Sequence, residues 1–435
     1  MASSTQPFSS RPEAGNQTPT RARYWVIFFA VTLAILAYID RVCISMAAPL
    51  ISRDLGFDRS QMGAIFSAFA LSYALFEIPG GYWGDKIGPR RVLMRIVLWW
   101  SVFTALTGGV WNWSSMWITR FLFGAGEAGC FPNLTKAFTI WLPGRERVQA
   151  QGIMWMFARW GGAFTPKLVM LVLAYMSWRW SFVLFGSLGL IWAVAFYWWF
   201  RDNPKDHPAL NAAEQALLVE NSSNAASGDH SVPWAKFASS RTVWLLWVQY
   251  FLLSFPWYFY ITWLPTYLKD GRKVPADEVA NYTILPLLFG GFGSLTCGFL
   301  SSRLVGVFGS VKRTRQVMAS LGFFGAAVML VVSINTAEPL PAMIFMGLAS
   351  FCNDLVMPGA WGACMDVGGK FAGTLAGSMN MMGNLAGAVA PTLAGVILDR
   401  TNDNFNVILY VMAAAYLLGT LCWPFIDPVT PIKQD

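Results

Sequence analysis

Long apolar stretches recur along the whole chain, and they limit what it can fold into more than any other feature. A helix of about 20 apolar residues can cross a hydrocarbon core about 30 Å thick. The sequence offers about twelve such stretches, near residues 24–50, 61–83, 91–111, 115–141, 150–175, 180–200, 242–268, 281–304, 316–335, 338–365, 372–398 and 405–425. Because 55% of the 435 residues are hydrophobic and only 12% are charged, few polar groups remain for a water-exposed surface. The sequence predicts an all-α membrane protein with twelve transmembrane helices.

The longest polar interruption divides the apolar stretches into two groups of six. We therefore expect two six-helix bundles, at 24–200 and 242–425, joined by a cytoplasmic central loop at 201–241. Residues 1–23 are polar and rich in Pro, Ser and Thr, a composition typical of a disordered tail. Residues 426–435 are expected to form a second cytoplasmic tail.

The formal net charge of +8 follows from the expected topology. Lys and Arg collect in cytoplasmic loops, and with the N-terminus inside, 19 of them fall in inner segments, 7 in outer loops and 5 within or at the ends of spans. This split predicts a multi-pass protein of the cell membrane with both termini in the cytoplasm. It also explains the basic surplus without nucleic-acid binding.

The cysteines and histidines offer no catalytic or metal-binding cluster inside the membrane. All six cysteines fall in apolar stretches without paired metal-ligand spacing, and both histidines lie in the polar central loop. We expect neither an enzyme nor a metal or other cofactor.

The connection after the second stretch, GYWGDKIGPRRVLMR from Gly81, carries a motif. Glycine and proline allow a tight reversal between helices, and Asp85 can face either a helix N-terminus or the nearby arginines, joining the two halves. The string G-x-x-x-D-K-x-G-x-R-R resembles the signature loop of the major facilitator superfamily, as does the layout of six plus six spans. The resemblance implies the major facilitator fold, with a cytoplasmic gate motif formed by Gly81, Asp85, Lys86, Gly88, Arg90 and Arg91.

Several charged residues lie inside the apolar stretches, where each costs about 2.5–3.5 kcal/mol to insert and therefore indicates a functional site. Most are in the first half, and the second half has Asp354; the first-half residues are Asp40, Arg41, Glu77, Arg120, Glu127, Arg159 and Lys167. We expect Glu77 to join the cytoplasmic latch and Lys167 to extend towards the outer surface. Arg159 is near mid-membrane and is expected to be functional.

Helix geometry sorts the charges of the first and fourth stretches. Tyr38 and Arg41 share a face, so Arg41 can point into a central cavity, while Asp40 is turned by about 100° towards a neighbouring helix. A buried ion pair between Asp40 and Arg41 that serves packing alone stays an alternative. Glu127 lies among small residues in GAGEAG, where a carboxyl group can gain and lose a proton. Its alternative is a permanent ion pair with Arg120 or Arg159.

Two amides on the eleventh stretch, Asn380 and Asn384, are four residues apart and share a face. We expect Asn380 to bridge two helices and Asn384 to bind hydroxyl groups of a ligand.

Five segments narrow the resemblance further: YIDRVCISMAAP, SYALFEIPGGYWGDKIGPRR, RFLFGAGEAGCFP, ITWLPTYL and GNLAGAVAP. They resemble the anion:cation symporter family, which includes bacterial carriers of sugar acids and animal vesicular glutamate and sialic acid transporters. The resemblance implies that Asp40 and Glu127 titrate with the transported proton and that Arg120 is coupled to them. It further implies a substrate site lined by Tyr38, Arg41, Tyr73, Trp361 and Asn384, with Arg41 facing the substrate carboxylate.

Arg159 departs from the family pattern, because galactonate-type relatives are expected to have glutamine there. A second cation favours a dicarboxylate, or a uronate bound through additional oxygens. The sequence does not decide whether Arg159 or Lys167 contacts the substrate.

The predicted function is proton-coupled import of an organic anion by alternating access, with a hexonate, hexuronate or aldarate as substrate. The expected partners are the small anion, protons and the lipid bilayer, with the proton as coupling ion and the chain as a monomer. One alternative is an antiporter of organic anions or organic phosphates that uses no protons, although it leaves Asp40 and Glu127 unexplained. A non-transporting sugar-acid receptor that signals through the central loop is a more remote alternative.

Overall fold

The computed structural model describes residues 18–218 and 231–432, and all regular structure within those ranges is helical. Most of the predicted tail at 1–23 therefore lies outside the described residues. The same holds for residues 219–230 of the predicted central loop and for the last three residues of the chain.

The helices of the first half are α1 (Trp25–Leu55), α2 (Arg59–Ile87), α3 (Pro89–Thr107), α4 (Trp113–Glu127), α5 (Cys130–Trp141), α6 (Gly144–Tyr175) and α7 (Trp178–Trp199). Those that follow are α8 (Ala212–Leu217), α9 (Trp234–Ser239), α10 (Arg241–Thr262), α11 (Leu264–Thr266), α12 (Ala276–Phe308), α13 (Val311–Asn335), α14 (Pro339–Asp354), α15 (Met357–Gly368), α16 (Ala372–Arg400) and α17 (Phe405–Cys422). With α4 and α5 taken as one span, α14 and α15 as another, and the short α8, α9 and α11 left aside, the protein has twelve membrane spans in two bundles of six, as predicted.

Length and hydropathy alone identify fewer spans than the fold contains. Seven stretches of the described residues are long and apolar enough to cross a membrane, one of which runs from α14 through α16. The spans that this criterion leaves out are α3, the α4–α5 span, α6 and α10. Their sequences contain clustered charges, a break, or many tryptophans and tyrosines, all of which lower the mean hydropathy.

Two spans are broken near their middle, directly after a carboxyl residue. Glu127 is the last residue of α4, and Asp354 is the last residue of α14. The short helices that follow each have a proline in the first turn, Pro132 in α5 and Pro358 in α15. Proline is tolerated there, but inside a continuous helix it would remove a hydrogen bond and collide with the preceding turn.

Glycine completes the first of these breaks. Gly129, between α4 and α5, has a φ of 82°, a backbone conformation that favours glycine. A Cβ atom there would stand 2.6 Å from the Cα atom of Gly80 on α2, so the break also lets α2 approach closely.

Each bundle packs through long helix pairs, and the two bundles meet along two further pairs. In the first bundle α1 packs along α6, α3 along α7 and α2 along α4; in the second, α12 packs along α14, α10 along α16 and α13 along α17. Between the bundles, α6 packs along α12 and α2 along α16. The first of these contacts is close, because a Cβ atom on Gly152 would stand 3.0 Å from the Cα atom of Gly298.

Contacts among the loops define the two ends of the molecule. Before α1, Arg23 pairs with Glu214 of α8 at 2.9 Å and with Glu146 at the start of α6 at 3.0 Å. At the start of α13, Arg315 donates to the carbonyl oxygen of Pro428 at 2.7 Å, close to the other end of the chain. We call this the termini end, and we call the opposite end, where α1 meets α2, the far end.

Candidate functional site

A small cavity lies between the two bundles at mid-span, with a volume of about 60 Å³. Arg41 and Arg159 are the charged residues among the side chains that line it. Its other lining residues are aromatic, amide, hydroxyl or apolar: Tyr38, Tyr73, Phe131, Trp155, Tyr250, Leu253, Ser254, Trp257, Tyr258, Met357, Asn380, Gly383 and Asn384. Five of the six predicted substrate-binding residues therefore meet at one cavity, namely Tyr38, Arg41, Tyr73, Arg159 and Asn384, and Asn380 lies beside them.

Arg41 of α1 forms an ion pair with Glu127 at the end of α4. Its Nε donates to Oε1 of Glu127 at 2.7 Å, and its guanidinium carbon lies 4.6 Å from the centre of the Tyr73 ring. The Arg41 side chain is 23% exposed and that of Glu127 is 0% exposed, so the cation faces the cavity and the carboxylate lies behind it. The sequence left Arg120 and Arg159 as partners of Glu127, but the structure shows Arg41 instead.

Asp40 lies behind this pair and is 2% exposed. Its charged neighbours are Glu127 and Arg120, and the indole N–H of Trp100 is the hydrogen-bond donor next to it. Arg120 is equally buried, and its guanidinium carbon lies 4.2 Å from the centre of the Phe123 ring. The three residues predicted to couple to protons thus form one buried cluster with Arg41, in which Arg41 is paired with Glu127 and not with Asp40.

Arg159 of α6 forms an ion pair across the interface between the bundles. Its Nε and Nη2 donate to the two carboxylate oxygens of Asp354 at 2.7 and 2.9 Å. Its guanidinium carbon lies 3.5 Å from the centre of the Trp257 ring on α10. Lys167, two turns further along α6, is not among the lining residues, so of the two cations that the sequence left open, Arg159 is at the cavity.

The second bundle contributes most of the uncharged polar groups. Asn384 of α16 accepts a hydrogen bond from the Tyr258 hydroxyl at 2.8 Å and lines the cavity. Asn380 donates to Oε1 of Glu77 on α2 at 2.7 Å and so bridges the bundles, the role expected from its position in the sequence.

Trp361 lies one layer further out than the sequence predicted. Its indole N–H donates to the Tyr250 hydroxyl at 3.0 Å, its ring centre lies 5.4 Å from that of Trp155, and it is 0% exposed. Tyr250 and Trp155 are the residues that line the cavity there. Trp361 supports the wall of the cavity and does not form its surface, because α15 places it behind these two rings.

The signature loop brings the bundles together through Asp85. Its carboxylate accepts hydrogen bonds from the backbone N–H groups of Gly373 at 3.0 Å and Thr374 at 2.6 Å, in the first turn of α16. It also pairs with the fully buried Lys136 of α5 at 3.2 Å. Of the two partners that the sequence left open, the structure shows the helix N-terminus, whose free N–H groups favour an anion. At Gly81, a Cβ atom would collide with the carbonyl oxygen of Gly373.

Gly88 and Arg90 of the gate motif act within the first bundle. Gly88, with a φ of 89°, turns the chain into α3. The backbone N–H of Arg90 then donates to Asp202 at 2.9 Å, and its guanidinium stacks 4.2 Å from the centre of the Tyr197 ring. Arg91 is exposed and Lys86 is half-buried.

A second ionic bridge at the termini end escaped the sequence interpretation. Asp366 of α15 pairs with Arg147 of α6 at 3.1 Å and with Arg315 of α13 at 2.7 Å. Hydrogen bonds and ion pairs also connect the described residues of one bundle with those of the other at several further points. All of them lie at the level of Trp160 or closer to the termini end. The structure is therefore a conformation joined at the termini end.

Asp354 lies close to the cavity, and its pairing with Arg159 was not predicted from the sequence. The available signal was its place in the sequence, because FCNDLVMP in the fourth span of the second half resembles GAGEAGCFP in the fourth span of the first. Each carries one carboxyl residue shortly before a proline.

Twelve spans in two bundles, with a polar cavity and buried charges between them, define a membrane carrier for a small solute. The chain belongs to the Major Facilitator Superfamily, whose model matches residues 30–391, and within it to the anion:cation symporter branch that its relatives define. The resemblance seen in the sequence is confirmed, and the chain is a transporter and not an enzyme.

Relatives match along nearly the full chain. The "Probable sulfoacetate transporter SauU" of Cupriavidus necator is 35% identical over 415 residues, which cover 95% of this chain and 96% of that protein. The "Hexuronate transporter" of Bacillus subtilis (strain 168) is 28% identical and covers 93% of this chain and 94% of its own. Among solved structures, the proton:xylose symporter XylE matches with a TM-score of 0.74 and 13% identity, over 94% of this chain and 97% of that one, which shows the shared fold.

Proposed function

We propose that the protein is a proton-coupled symporter that imports a small organic anion across the cell membrane by alternating access. The observation that carries the proposal is the ion pair between Arg41, which faces the cavity, and Glu127, which is buried behind it. Asp40 and Arg120 extend this pair into a buried cluster of two carboxyl groups and two cations.

Competition for Arg41 couples the anion to the proton. An anionic group that binds Arg41 takes the place of the Glu127 carboxylate, and a buried carboxylate without a cation is costly. Glu127 therefore takes up a proton when the substrate binds. When the substrate leaves, the Arg41–Glu127 pair forms again and releases the proton. Asp40, which lies next to Arg120, is the second site at which a proton is held.

The energetics favour such coupling. A membrane potential of 100 mV, negative inside, opposes the import of a monovalent anion by about 2.3 kcal/mol. One co-transported proton cancels this cost, and each further proton adds a driving force.

The names of the relatives support an organic acid as the substrate. One is described as a transporter of sulfoacetate and another as a transporter of hexuronate, and both substrates carry a carboxylate. The cavity offers a cation for that group in Arg41 and hydroxyl or amide partners in Tyr38, Tyr73 and Asn384.

The contacts at the termini end support alternating access. We assign this end to the cytoplasm, because it carries most of the Lys and Arg. In the conformation described above, Asp85 and Asp366 join the bundles there. Rocking of the bundles about the cavity would break these contacts and open the cavity to the cytoplasm.

Uptake into proteoliposomes tests the proposal. We expect an acidic exterior to accelerate uptake of sulfoacetate, a hexuronate, a hexonate or an aldarate, with a neutral hexose and a hexose phosphate as controls. A protonophore should abolish accumulation above equilibrium. Accumulation that survives the protonophore, or that requires an anion on the opposite side, would instead identify a proton-independent antiporter.

A further inference from the structure

A second arginine–carboxyl pair, Arg159 with Asp354, joins the two bundles, and its carboxyl group has the place in the second bundle that Glu127 has in the first. Glu127 ends α4 and Asp354 ends α14, and these helices begin the fourth span of each half. Both carboxyl groups are 0% exposed, and each is paired with an arginine that lines the cavity. The protein therefore has two similar arginine–carboxyl pairs at the cavity, and the proposed function uses only the Arg41–Glu127 pair.

The Arg159–Asp354 pair is arranged so that the cation can change partners. Asp354 is not a lining residue, whereas Arg159 is, so the guanidinium lies between the carboxylate and the cavity. Asp354 is held in place by the Asn353 side-chain amide at 2.8 Å and by the Ser294 hydroxyl at 3.4 Å. The two bonds to Asp354 use Nε and Nη2 of Arg159, and the Trp257 ring covers one face of the guanidinium. The planar guanidinium of arginine can donate two parallel hydrogen bonds to a carboxylate or to another anion whose oxygens have a similar spacing.

We propose that Arg159 binds the second anionic group of a short dianionic substrate and that this group takes the place of Asp354. The proposal rests on the proposed function, because it assumes that the first anionic group binds Arg41. The substrate class is a short chain with a carboxylate at one end and a sulfonate or second carboxylate at the other.

Displacement leaves Asp354 buried without its cation, and the proton that it then takes up removes this cost. The titratable groups around it are Arg159 of α6, Tyr260 of α10, Cys297 of α12 and Tyr416 of α17. None of them except Arg159 is cationic, so no neighbour in the described residues replaces the lost partner. Each anionic group of the substrate is thus matched by one carboxyl group that becomes neutral.

The exchange also acts on the contact between the bundles. Arg159 belongs to the first bundle and Asp354 to the second, so their ion pair joins the two. A dianion that occupies Arg159 removes this bridge, which a monoanion bound at Arg41 leaves in place. The second anionic group therefore promotes the movement of the bundles as well as binding.

The size of the cavity favours a short substrate. A cavity needs a volume of about 10–15 Å³ to hold one water molecule. The volume of about 60 Å³ therefore has room for only a few groups of that size in this conformation. Sulfoacetate is of this class, because only two carbon atoms separate its sulfur from its carboxylate oxygens. It is also the substrate named for the relative with 35% identity.

Calorimetric titration of the purified protein compares sulfoacetate with two matched monoanions. Glycolate replaces the sulfonate by a hydroxyl group, and isethionate replaces the carboxylate by a hydroxymethyl group. We expect sulfoacetate to bind the wild-type protein roughly 10-fold or more tightly than either, since close charge pairs at binding interfaces couple by about that factor or more. Equal binding of the three would overturn the inference.

The double substitution Arg159→Gln with Asp354→Asn removes both charges and leaves no unpaired ion in the core. We expect it to lose the preference for sulfoacetate over glycolate almost completely. If the pair only fixed the packing of the bundles, the preference would persist in this variant. Arg179→Gln, which removes a half-buried arginine paired with Asp54 at the far end, serves as the control and should keep the wild-type preference.

The single substitution Asp354→Asn gives a second readout. It removes the group that competes with the substrate for Arg159, so sulfoacetate should bind more tightly than in the wild type, whereas glycolate binding should not gain. Weaker sulfoacetate binding in this folded variant would contradict the exchange. Proton-driven uptake of a hexuronate, measured in parallel, separates the two proposals. If it is present without any preference for dianions, only the inference fails, and if no organic anion is taken up, the proposed function fails.

Discussion

At the scale of single residues, adjacent positions on one helix face different surroundings. Asp40 and Arg41 are neighbours in sequence, yet the turn of about 100° per residue points Arg41 at the cavity and Asp40 at α3 and α4. A charge that faces the cavity can be exchanged with a ligand, while a charge that faces protein can only be compensated by its neighbours. On this difference we base the proposal that Arg41 serves the substrate and Asp40 the proton.

Substitution of the two carboxyl groups should separate proton coupling from substrate movement. We expect Asp40→Asn and Glu127→Gln each to lower proton-driven accumulation at least about 10-fold, because neither amide can bind or release the proton. Counterflow exchange of substrate across a membrane without a pH gradient should persist in part. Both activities are measured with the same proteoliposomes.

The matching control is Glu146→Gln, which alters a carboxylate at the termini end that pairs with Arg23. It should keep proton-driven accumulation. Wild-type accumulation in Asp40→Asn or in Glu127→Gln would remove the corresponding residue from the coupling mechanism.

The sequence allowed the orientation of these charges to be predicted, but not all of their partners. Helical periodicity placed Arg41 towards a cavity and Asn380 towards another helix, since both inferences need only the geometry of one helix. The pairing of Arg41 with Glu127, and of Arg159 with Asp354, depends on how separate helices are positioned. A single sequence carries little information on that.

At the scale of secondary-structure elements, glycines decide how closely the helices of the two bundles approach. The crossing of α2 and α16 has Gly81 facing Gly373, with the Asp85 hydrogen bonds one turn further along. A side chain at this crossing would hold the helices apart and stretch those bonds.

Gly81→Ala should therefore weaken the contact at the termini end. A Cβ atom at Gly81 would collide with the backbone carbonyl of Gly373, so we expect a larger population in which the bundles are separated at this end. The measurement is the distance between spin labels on Arg91→Cys in the first bundle and Ser302→Cys in the second.

Gly63→Ala is the control on the same helix, because a Cβ atom there would meet no atom within 4 Å. It should leave the distribution of label distances unchanged. Identical distributions for Gly81→Ala and Gly63→Ala would mean that the crossing does not limit the movement.

At the scale of the whole molecule, the conformation depends on a small number of bonds between two bundles. The number of spans and the fold class could be predicted from the apolar stretches, and the signature loop indicated the superfamily. The bridge formed by Asp366, Arg147 and Arg315 could not be predicted, because these residues read as ordinary basic and acidic loop positions. The division into domains and tails proposed from the sequence stays a prediction.

Asp85→Asn should shift the equilibrium between the two conformations. Hydrogen bonds to a charged group contribute about 1.5–3 kcal/mol each, so the loss of one unit of charge at the α16 N-terminus should raise the separated population roughly 10-fold or more. The label pair on Arg91→Cys and Ser302→Cys reports this shift.

Asp58→Asn is the comparison, because Asp58 caps the other end of α2 and bonds there to Gln61. It should not change the distance between the labels. An unchanged distribution in Asp85→Asn would show that the helix N-terminus is not a latch.

The assignment of the termini end to the cytoplasm gives a further prediction. In intact cells, a membrane-impermeant maleimide should label Asn402→Cys at the far end and not Ser239→Cys at the termini end; both positions are exposed. Background labelling should be low, since five of the six native cysteines are buried and Cys352 is half-buried. Labelling of Ser239→Cys without prior permeabilisation would reverse the topology.

The broken spans have a mechanical consequence. The helix α5 has 12 residues and is about 18 Å long, and it carries Lys136, which meets Asp85; α15 has 12 residues as well and carries Asp366. Each of these short helices begins at a break in its span, next to the carboxyl residue that ends the preceding helix. A small rotation at Glu127 or Asp354 would therefore move the contacts that join the bundles at the termini end, about 18 Å away, while the other half of the span keeps its position.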